Sequence, residues 1–161
     1  MEPKIVTLGP LVLAGRPYFG NPEGGAFGQA WDRFNAQPIS EPSRVNSKIY
    51  YGLQVYGPEF MSAHKWTYMP AVEVRDLSDL PNTLFGKVLP ACTYAVFTAR
   101  HGLASIPDAF MEGYSNWIPN SRYEVAHAFD FEVYDDERFH GDGPDEEIDV
   151  YTPIREKAAA G

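Results

Sequence analysis

Two segments, one in each half of the chain, carry small and aromatic residues at the same spacing. Adding 83 to the numbers of Ala26, Phe27, Trp31 and Phe34 gives Ala109, Phe110, Tyr114 and Trp117. In both segments these side chains fall on one face at helical spacing, and a proline follows. We therefore predict two helices, near Ala26 to Ala36 and near Ser105 to Trp117.

The predicted strands repeat as well. Adding 78 to Tyr51, Gln54, Val55 and Tyr56 gives Phe129, Glu132, Val133 and Tyr134, and Tyr68-Met69-Pro70 matches Tyr151-Thr152-Pro153 at an offset of 83. Such a repeat indicates two similar units that pack together. The predicted fold is α+β, with pseudo-twofold duplicated β-α-β-β units, a mostly antiparallel sheet and two helices on one face. Residues 1–161 should form one domain, with halves of about 1–77 and 86–156, and a groove on the axis would present residues of both halves to a ligand.

Glycine and proline bound the predicted strands. These strands cover residues 11–14, 49–56, 65–74, 88–99, 125–134 and 148–154. Residues 15–25 are predicted as a loop, and residues 75–87 as the connection between the halves. Pro70 lies inside the third strand, and proline cannot donate a backbone hydrogen bond. We therefore expect an edge position or a bulge there.

The stretch from Ala128 to Tyr134 places carboxylates inside a segment that otherwise has the pattern of a buried strand. Successive side chains of a strand point to opposite faces. One face should therefore be Phe129, Phe131 and Val133, and the other Asp130, Glu132 and Tyr134. An ionised carboxylate among apolar groups is unfavourable unless a cation or hydrogen-bond donors compensate for it. Glu132 is a candidate for contact with a cation, although a strand carboxylate that faces solvent fits the same pattern.

The charge of the chain restricts its partners. Thirteen basic and twenty-two acidic residues give a net charge of -9, which opposes binding to nucleic acids or anionic membranes and favours cations. Much of the acidity lies in residues 130–137 and 142–149, so a solvated acidic loop is an equal interpretation. Aromatic residues make up 14% of the chain, more than a core of this size needs. Some rings should therefore line a cavity or an interface.

Several kinds of chemistry have no motif in this sequence. The histidines lack the spacing of a zinc site, and the HExxH, CxxC, GxSxG, P-loop and GxGxxG patterns do not occur. We therefore expect no metal and no cofactor. Cys92 is the one cysteine, so no intrachain disulfide is expected, and a buried thiol is the simpler interpretation than a nucleophile. Without a signal-peptide pattern or a membrane-spanning run, the predicted location is the cytoplasm.

Four motifs together resemble those of a known family. They are Pro90-Ala91-Cys92-Thr93-Tyr94-Ala95-Val96-Phe97 followed by Gly102, Trp117-Ile118-Pro119-Asn120-Ser121, Phe131-Glu132-Val133-Tyr134, and Ile148-Asp149-Val150-Tyr151-Thr152-Pro153-Ile154. In this order they are similar to the GyrI-like small-molecule-binding domain, the effector-binding module of AraC-type and MerR-type multidrug-responsive regulators. The strand from Tyr68 to Val74 also resembles the third strand of that family. The resemblance covers nearly the whole chain. It implies a pseudo-symmetric α+β fold with an aromatic pocket for lipophilic cations, in which Glu132 meets the cation.

The strand pattern and the resemblance together give the candidate site. The expected ligand-binding residues are Glu132, Tyr134, Asp130, Trp66, Tyr68, Tyr94, Phe97, Trp117, Gln54 and Tyr51. Trp66 and Tyr68 fit a core as well as a pocket wall, and Trp117 fits the apolar face of its helix. Asp130 either reinforces the site or lies at its rim.

Three functions remain open at this point. The leading hypothesis is a non-catalytic protein that binds hydrophobic cations for sensing, sequestration or resistance. The enzyme alternative, taken from one branch of the family, is hydrolysis of electrophilic cyclopropane-type toxins with Glu132 as general base and a tyrosine or second carboxylate as acid. The third is an interaction module that binds a protein partner or forms a homodimer. The chain has no room for the helix-turn-helix domain of the regulators, so we expect a stand-alone form without direct nucleic-acid contact.

Overall fold

A computed structural model describes residues 1–39 and 44–159 of the chain. Within these residues the strands are β1 Lys4–Leu8, β2 Leu11–Gly15, β3 Tyr18–Gly20, β4 Ile49–Val55, β5 Trp66–Glu73, β6 Phe85–Leu89, β7 Cys92–Ala99, β8 Tyr123–Val125, β9 Phe129–Asp135 and β10 Ile148–Glu156. The helices are α1 Ala26–Ala36, α2 Glu59–Ala63 and α3 Ile106–Met111, which continues as a π-helical segment, Glu112–Trp117. Both predicted helices are confirmed. No helix of the described part is long and apolar enough to cross a membrane.

The strands form one antiparallel sheet in the order β1-β7-β10-β9-β4-β5-β2-β6, with β3 beside β5 and β8 beside β10. Exchanging β1 with β6, β2 with β7, β4 with β9 and β5 with β10 gives the same order in reverse. The sheet order is therefore symmetric about its centre. The twofold axis passes between Leu53 and Phe131, which pair directly and are separated by the repeat offset of 78. The predicted α+β class and its pseudo-twofold repeat are confirmed.

Each half begins with a strand that the sequence prediction did not separate: β1 was not predicted, and part of β6 was joined to β7 in the predicted strand 88–99. Gly9-Pro10 separates β1 from β2, and Pro90-Ala91 separates β6 from β7. These first strands are exchanged between the halves, because β1 pairs with β7 and β6 pairs with β2. Each two-residue connector spans at most about 11 Å, so the sheet must curl until its two ends approach.

The two faces of the sheet have different surroundings. The face inside the curl carries the largest apolar cluster, which joins strands from both ends of the sheet and includes Leu13, Leu53, Met69, Tyr94 and Phe131. The other face is covered by α1 and α3. In β9 the alternation is as predicted, with Phe129, Phe131 and Val133 packed in the apolar cluster and the side chains of Asp130, Glu132 and Tyr134 directed towards the helices.

The predicted repeat is wrong by one residue where it matches β5 with β10. Leu53 pairs with Met69 in β5, and its counterpart Phe131 pairs with Tyr151 in β10. Met69 and Tyr151 are therefore equivalent, and the offset between these strands is 82 rather than the predicted 83. A slip of one residue moves every side chain of a strand to the other face. Tyr68 accordingly faces the helices, whereas Tyr151 stacks on Phe131 inside the curl, with ring centroids 4.8 Å apart.

Of the two alternatives expected for Pro70, an edge position or a bulge, the edge position is wrong, because β5 lies between β4 on one side and β2 and β3 on the other. The carbonyl oxygen of Pro70 accepts a hydrogen bond from the Arg16 N–H at 3.3 Å. The nitrogen and oxygen of one strand residue point to the same side, so the missing N–H faces the chain between β3 and β2. The ladder is already interrupted at this point, which lets proline occupy a central strand.

Candidate ligand-binding site

A cavity of about 870 Å³ lies between α1, α3 and the helix-covered face of the central strands. Its size falls within the range of pockets that enclose drug-sized ligands. Aromatic side chains from several elements form its walls: Phe27, Trp31, Tyr56, Phe60, Trp66, Tyr68, Phe110, Tyr114 and Tyr134. Among its described lining residues there is no lysine or arginine. The cavity therefore offers a ligand extensive ring surface and no fixed positive charge.

Glu132 lies on the floor of this cavity, and its side chain is almost fully buried. The Tyr68 and Tyr134 hydroxyls donate to Oε2 of Glu132 at 2.7 and 2.6 Å, and Trp31 Nε1 donates to the Tyr68 hydroxyl at 2.8 Å. The other carboxylate oxygen, Oε1, accepts no hydrogen bond from the described residues. Neutral phenols thus hold one oxygen of Glu132 and leave the second available to a ligand.

Gly52 makes room for this arrangement. It pairs with Glu132 across β4 and β9. A Cβ atom at Gly52 would collide with Oε2 of Glu132 and lie 2.7 Å from the Tyr68 hydroxyl oxygen. Gly52 is the repeat counterpart of Asp130. Asp130 fills the equivalent space with its own side chain, whereas Gly52 has none and leaves the space to the Glu132 carboxylate.

Burial controls the ionisation of Glu132. Loss of hydration raises the pKa of the Glu132 carboxyl to about 7, although the hydrogen bonds from Tyr134 and Tyr68 favour the charged form. Burial and the nearby carboxylate raise the pKa values of Tyr68 and Tyr134 well above the ordinary range. The two phenols therefore remain hydrogen-bond donors, and of these three groups Glu132 is the one whose pKa lies near neutral pH.

Asp130 forms a second polar centre beneath the cavity wall, and it is fully buried. The Tyr56 and Tyr114 hydroxyls donate to its Oδ2 at 2.9 and 2.8 Å, and Gln54 Nε2 donates to its Oδ1 at 2.8 Å. Trp66 Nε1 donates to the Gln54 oxygen at 2.9 Å, which fixes the orientation of that amide. Asp130 is not among the lining residues, but it positions four side chains that are.

The same physical cause acts on Asp130. Burial raises the pKa of the Asp130 carboxyl to about 7, the three donated hydrogen bonds oppose the shift, and the neighbouring Glu132 charge adds to it. Two carboxyl groups on one strand face are thus enclosed together. Within the described residues only uncharged donors contact them.

A comparison with known families bears directly on this site. The model of the Cass2 family, described as integron-associated effector binding protein, matches residues 4–154. The chain belongs to the Cass2 family. Its fold is accordingly that of an effector-binding domain, and the resemblance to the GyrI-like domain is confirmed.

Individual relatives of this Cass2 domain agree with that assignment. It is 29% identical over 155 residues to the transcriptional regulator BrlR of Pseudomonas aeruginosa, a match that covers 96% of this chain and 56% of BrlR. The chain therefore spans about half the length of that regulator. Among solved structures it resembles SAV2435 bound to tetraphenylphosphonium, with a TM-score of 0.74, 19% identity, and coverage of 96% and 94% of the two chains. It also resembles the EcmrR C-terminal domain, with a TM-score of 0.67, 13% identity, and coverage of 97% and 98%. At these identities the two structures show the fold alone.

The Cass2 fold brings together about half of the residues that the sequence proposed for the site. Glu132, Tyr134, Trp66, Tyr68 and Gln54 line the cavity, and Asp130 lies directly behind its wall rather than at its rim. The remaining four side chains do not line it. Tyr51 and Tyr94 pack in the apolar cluster inside the curl of the sheet. Phe97 is covered by Gly113 of the π-helical segment, and Trp117 stacks on Tyr123 with centroids 5.7 Å apart.

Other lining residues were not proposed from the sequence. Trp31 and Tyr114 were identified as helix-face residues, and Tyr56 as the counterpart of Tyr134, so the repeat contained the signal that could have placed them in the cavity. Phe60 lies in α2 and His64 directly follows it; this helix has only five residues and gives no clear periodicity. His64 ends α2 in the left-handed conformation, with φ of 53°, which directs the chain into β5 beside the cavity.

The contacts of Asp130 predict an energetic coupling with Gln54. Asp130→Asn should leave one buried N–H or O–H donor without an acceptor, because Trp66 prevents the Gln54 amide from turning, and the cost should be about 1–3 kcal/mol. Gln54→Glu alone would place two carboxylates in contact. In the double variant the new carboxylate at position 54 accepts from Trp66 and from the new amide at position 130, whose oxygen still receives both tyrosines.

Urea unfolding of the four proteins at pH 7 measures this coupling. We expect the double variant to be more stable than the sum of the single changes predicts by about 2 kcal/mol. Strictly additive changes in the free energy of unfolding would contradict the network.

Proposed function

We propose that this chain is an effector-binding domain whose ligands are lipophilic organic cations held in the aromatic cavity beside Glu132. The observation that carries the proposal is the Glu132 carboxylate, which is enclosed by rings and, within residues 1–39 and 44–159, is hydrogen-bonded only by neutral phenols. An enclosed carboxylate without a cation is unfavourable. A ligand that brings a positive charge to Oε1 relieves this cost, whereas a neutral ligand does not.

The walls favour the same ligand class. Rings attract cations placed over their faces, and an organic cation with apolar substituents also gains from leaving water. Inorganic cations lack the apolar surface that the walls are suited to cover. SAV2435, which has this fold, has been solved bound to tetraphenylphosphonium, an ion with both properties.

Titration calorimetry with two ions of the same shape tests the proposal. Tetraphenylphosphonium should bind, and tetraphenylborate, which presents similar rings around a negative centre, should bind at least roughly 100-fold more weakly, a difference of about 2.7 kcal/mol. Equal affinities would show that ring surface alone determines binding. Failure of both ions, and of a wider panel of dyes, would reject a lipophilic-cation site.

The raised pKa of Glu132 predicts that binding is linked to protons. The cation favours the ionised carboxylate, so it lowers the pKa of Glu132 in the complex below about 7. Affinity should therefore rise with pH up to about 7 and level off above it, and binding below that pH should release a proton. Titrations in two buffers of different ionisation enthalpy measure the release. Affinity that is independent of pH from 5 to 8 would contradict the linkage.

A second candidate function rests on the same pKa. A carboxylate that titrates near pH 7 suits a general base, and Tyr68 or Tyr134 lies close enough to serve as the proton donor. The reaction would be hydrolysis of an electrophilic small molecule. Glu132 removes a proton from the attacking water, the water oxygen bonds to the electrophilic carbon as the strained carbon–carbon bond breaks, and the tyrosine gives its proton to the leaving carbon. Transfer of the proton from Glu132 to the tyrosine then restores both groups. Mass spectrometry of products from a cyclopropane-bearing electrophile tests this activity. Turnover by the unaltered protein that is lost in Glu132→Gln would favour the enzyme. If the protein neither binds these ions nor converts the electrophile, the results would favour a protein-docking role in the cytoplasm.

A further inference from the structure

A second cavity of about 800 Å³ lies on the far side of Trp31 and Tyr134. It shares these two rings, Gly28 and Leu103 with the first cavity. Its other lining residues come from α1, β4 and the segment after β9: Asp32, Asn35, Tyr50, Asp136, Phe139, His140 and Gly141. The two cavities are therefore neighbours along one trough, separated by the Trp31–Tyr134 pair, whose ring centroids are 5.1 Å apart.

The pseudo-twofold axis explains the second cavity. The axis at Leu53 and Phe131 exchanges two antiparallel strands, so it also exchanges the two ends of the trough above them. Tyr134 and Tyr50 in the second cavity are counterparts of Tyr56 and Ala128 in the first. Trp31 is likewise the counterpart of Tyr114. The second cavity thus repeats the outer end of the first in the other half of the chain.

The rim of the second cavity is acidic. Asp32 and Asp136 line it, are exposed, and form no ion pair with any described residue. Among the basic side chains near this rim, Lys48 pairs with Glu137, Arg138 pairs with Glu147 and Asp149, and His140 Nδ1 lies 3.3 Å from Glu146. Arg33 follows Asp32 in α1 and does not line the cavity. Arg44 lies over the Tyr50 ring at 4.5 Å and does not line the cavity. A positive group that entered over the aromatic walls would meet two uncompensated carboxylates.

We propose that the trough takes an elongated dication, with one charged centre beside Glu132 and the second in the cavity under Asp32 and Asp136. This inference rests on the proposed function, because it extends the same site. Asp136 is the first residue after β9 and follows Glu132 by four residues, which corresponds to about 13 Å in extended chain. A flexible spacer of roughly ten methylene groups covers that distance. The ligand must pass Trp31 and Tyr134, whose rings can lie along its spacer.

Alkanes that carry a triphenylphosphonium group at each end, with spacers of increasing length, test the proposal by calorimetry. The matched monocations carry a triphenylphosphonium group at one end and a neutral triphenylmethyl group at the other end of the same spacer, so the ring surface stays nearly the same and only the second charge is removed. We expect the dication to bind about fivefold to tenfold more tightly than its monocation at the best spacer length, and no better at short lengths. Because the rim is exposed, the gain should shrink at high salt.

Variants of the rim separate this inference from the function on which it rests. Asp32→Asn/Asp136→Asn should remove the gain of the dication and leave the monocation unchanged. Asp79→Asn/Asp145→Asn, which changes two exposed aspartates that line neither cavity, should do neither. If a monocation binds and no dication binds more tightly, the dication proposal is wrong and the proposed function is unaffected. If neither class of ion binds to the unaltered protein, both fail.

Discussion

Replacement of Glu132 by glutamine is expected to weaken binding of tetraphenylphosphonium by roughly 10- to 100-fold, which corresponds to about 1.5–3 kcal/mol for a charged, partly desolvated contact. Glutamine keeps the shape of the side chain, and its oxygen still accepts the hydrogen bonds of Tyr68 and Tyr134. Its amino group then faces the cavity in place of Oε1. The cation loses its charge complement, whereas a neutral ligand such as triphenylphosphine oxide should change by less than about threefold.

A matched control is available on the other face of the sheet. Glu73 is a strand carboxylate in β5 whose nearest side-chain partner is also a tyrosine, with the Tyr51 hydroxyl 3.5 Å from Oε2. Glu73→Gln removes the same charge outside the cavity and should leave both ligand classes unaffected. Equal weakening of cationic and neutral ligands by Glu132→Gln would assign Glu132 a structural role.

The free energy of unfolding is expected to fall as pH rises from about 4 to 7 and to level off above that range. Burial holds the pKa values of Asp130 and Glu132 at about 7 in the folded chain, above their ordinary values of 3.8 and 4.5. Between these limits the folded chain binds more protons than the unfolded chain, so raising the pH favours unfolding. One pKa unit corresponds to about 1.4 kcal/mol, so each carboxyl should cost on the order of 3 kcal/mol at pH 8.

Urea unfolding at intervals between pH 5 and 8 measures this effect. Glu132→Gln should reduce the slope of stability against pH, and Glu73→Gln should leave it intact. A saturating lipophilic cation should reduce the slope as well, because it stabilises the ionised form of Glu132. A flat profile over this range would mean that the two carboxyls keep ordinary pKa values in the folded chain.

Burial of Asp130 and Glu132 lowers the free energy of unfolding at neutral pH. Two ionisable side chains occupy positions that apolar residues could fill at lower free energy. The unliganded domain is thus less stable at neutral pH than its fold allows, and a bound cation returns part of that stability. This difference between the free and bound states is what an effector-binding domain can transmit to a partner.

The sequence predicted the elements whose patterns are local. The bounds of α1 followed from the spacing of Phe27, Trp31 and Phe34, and the two faces of β9 followed from strict alternation. The twofold axis followed from the repeat around Gln54 and Glu132. The first two features depend on neighbours within one or two turns of helix or within one strand, and the third depends on similarity between two segments, which is visible in the sequence itself.

Features that depend on contacts across the sheet could not be predicted in this way. Tyr94 and Tyr51 are aromatic, as many pocket residues are, but the strand register directs their side chains inside the curl. The equivalence of Met69 with Tyr151 differs from the sequence match by one residue, and only strand pairing reveals it. Likewise, no local pattern indicates that Tyr56 and Tyr114, from different halves, meet at Asp130.

The exchanged first strands have a consequence for how the chain folds as it is synthesised. β1 pairs with β7 through Lys4 and Val96, so during synthesis β1 lacks this partner until the chain as far as β7 has been made. β2 likewise finds part of its pairing only in β6. Contacts so distant in sequence slow folding. Neither half can pair all of its strands by itself. We therefore expect the nascent N-terminal half to remain incompletely paired until the second half has been synthesised, and the two halves then to fold in a single cooperative step.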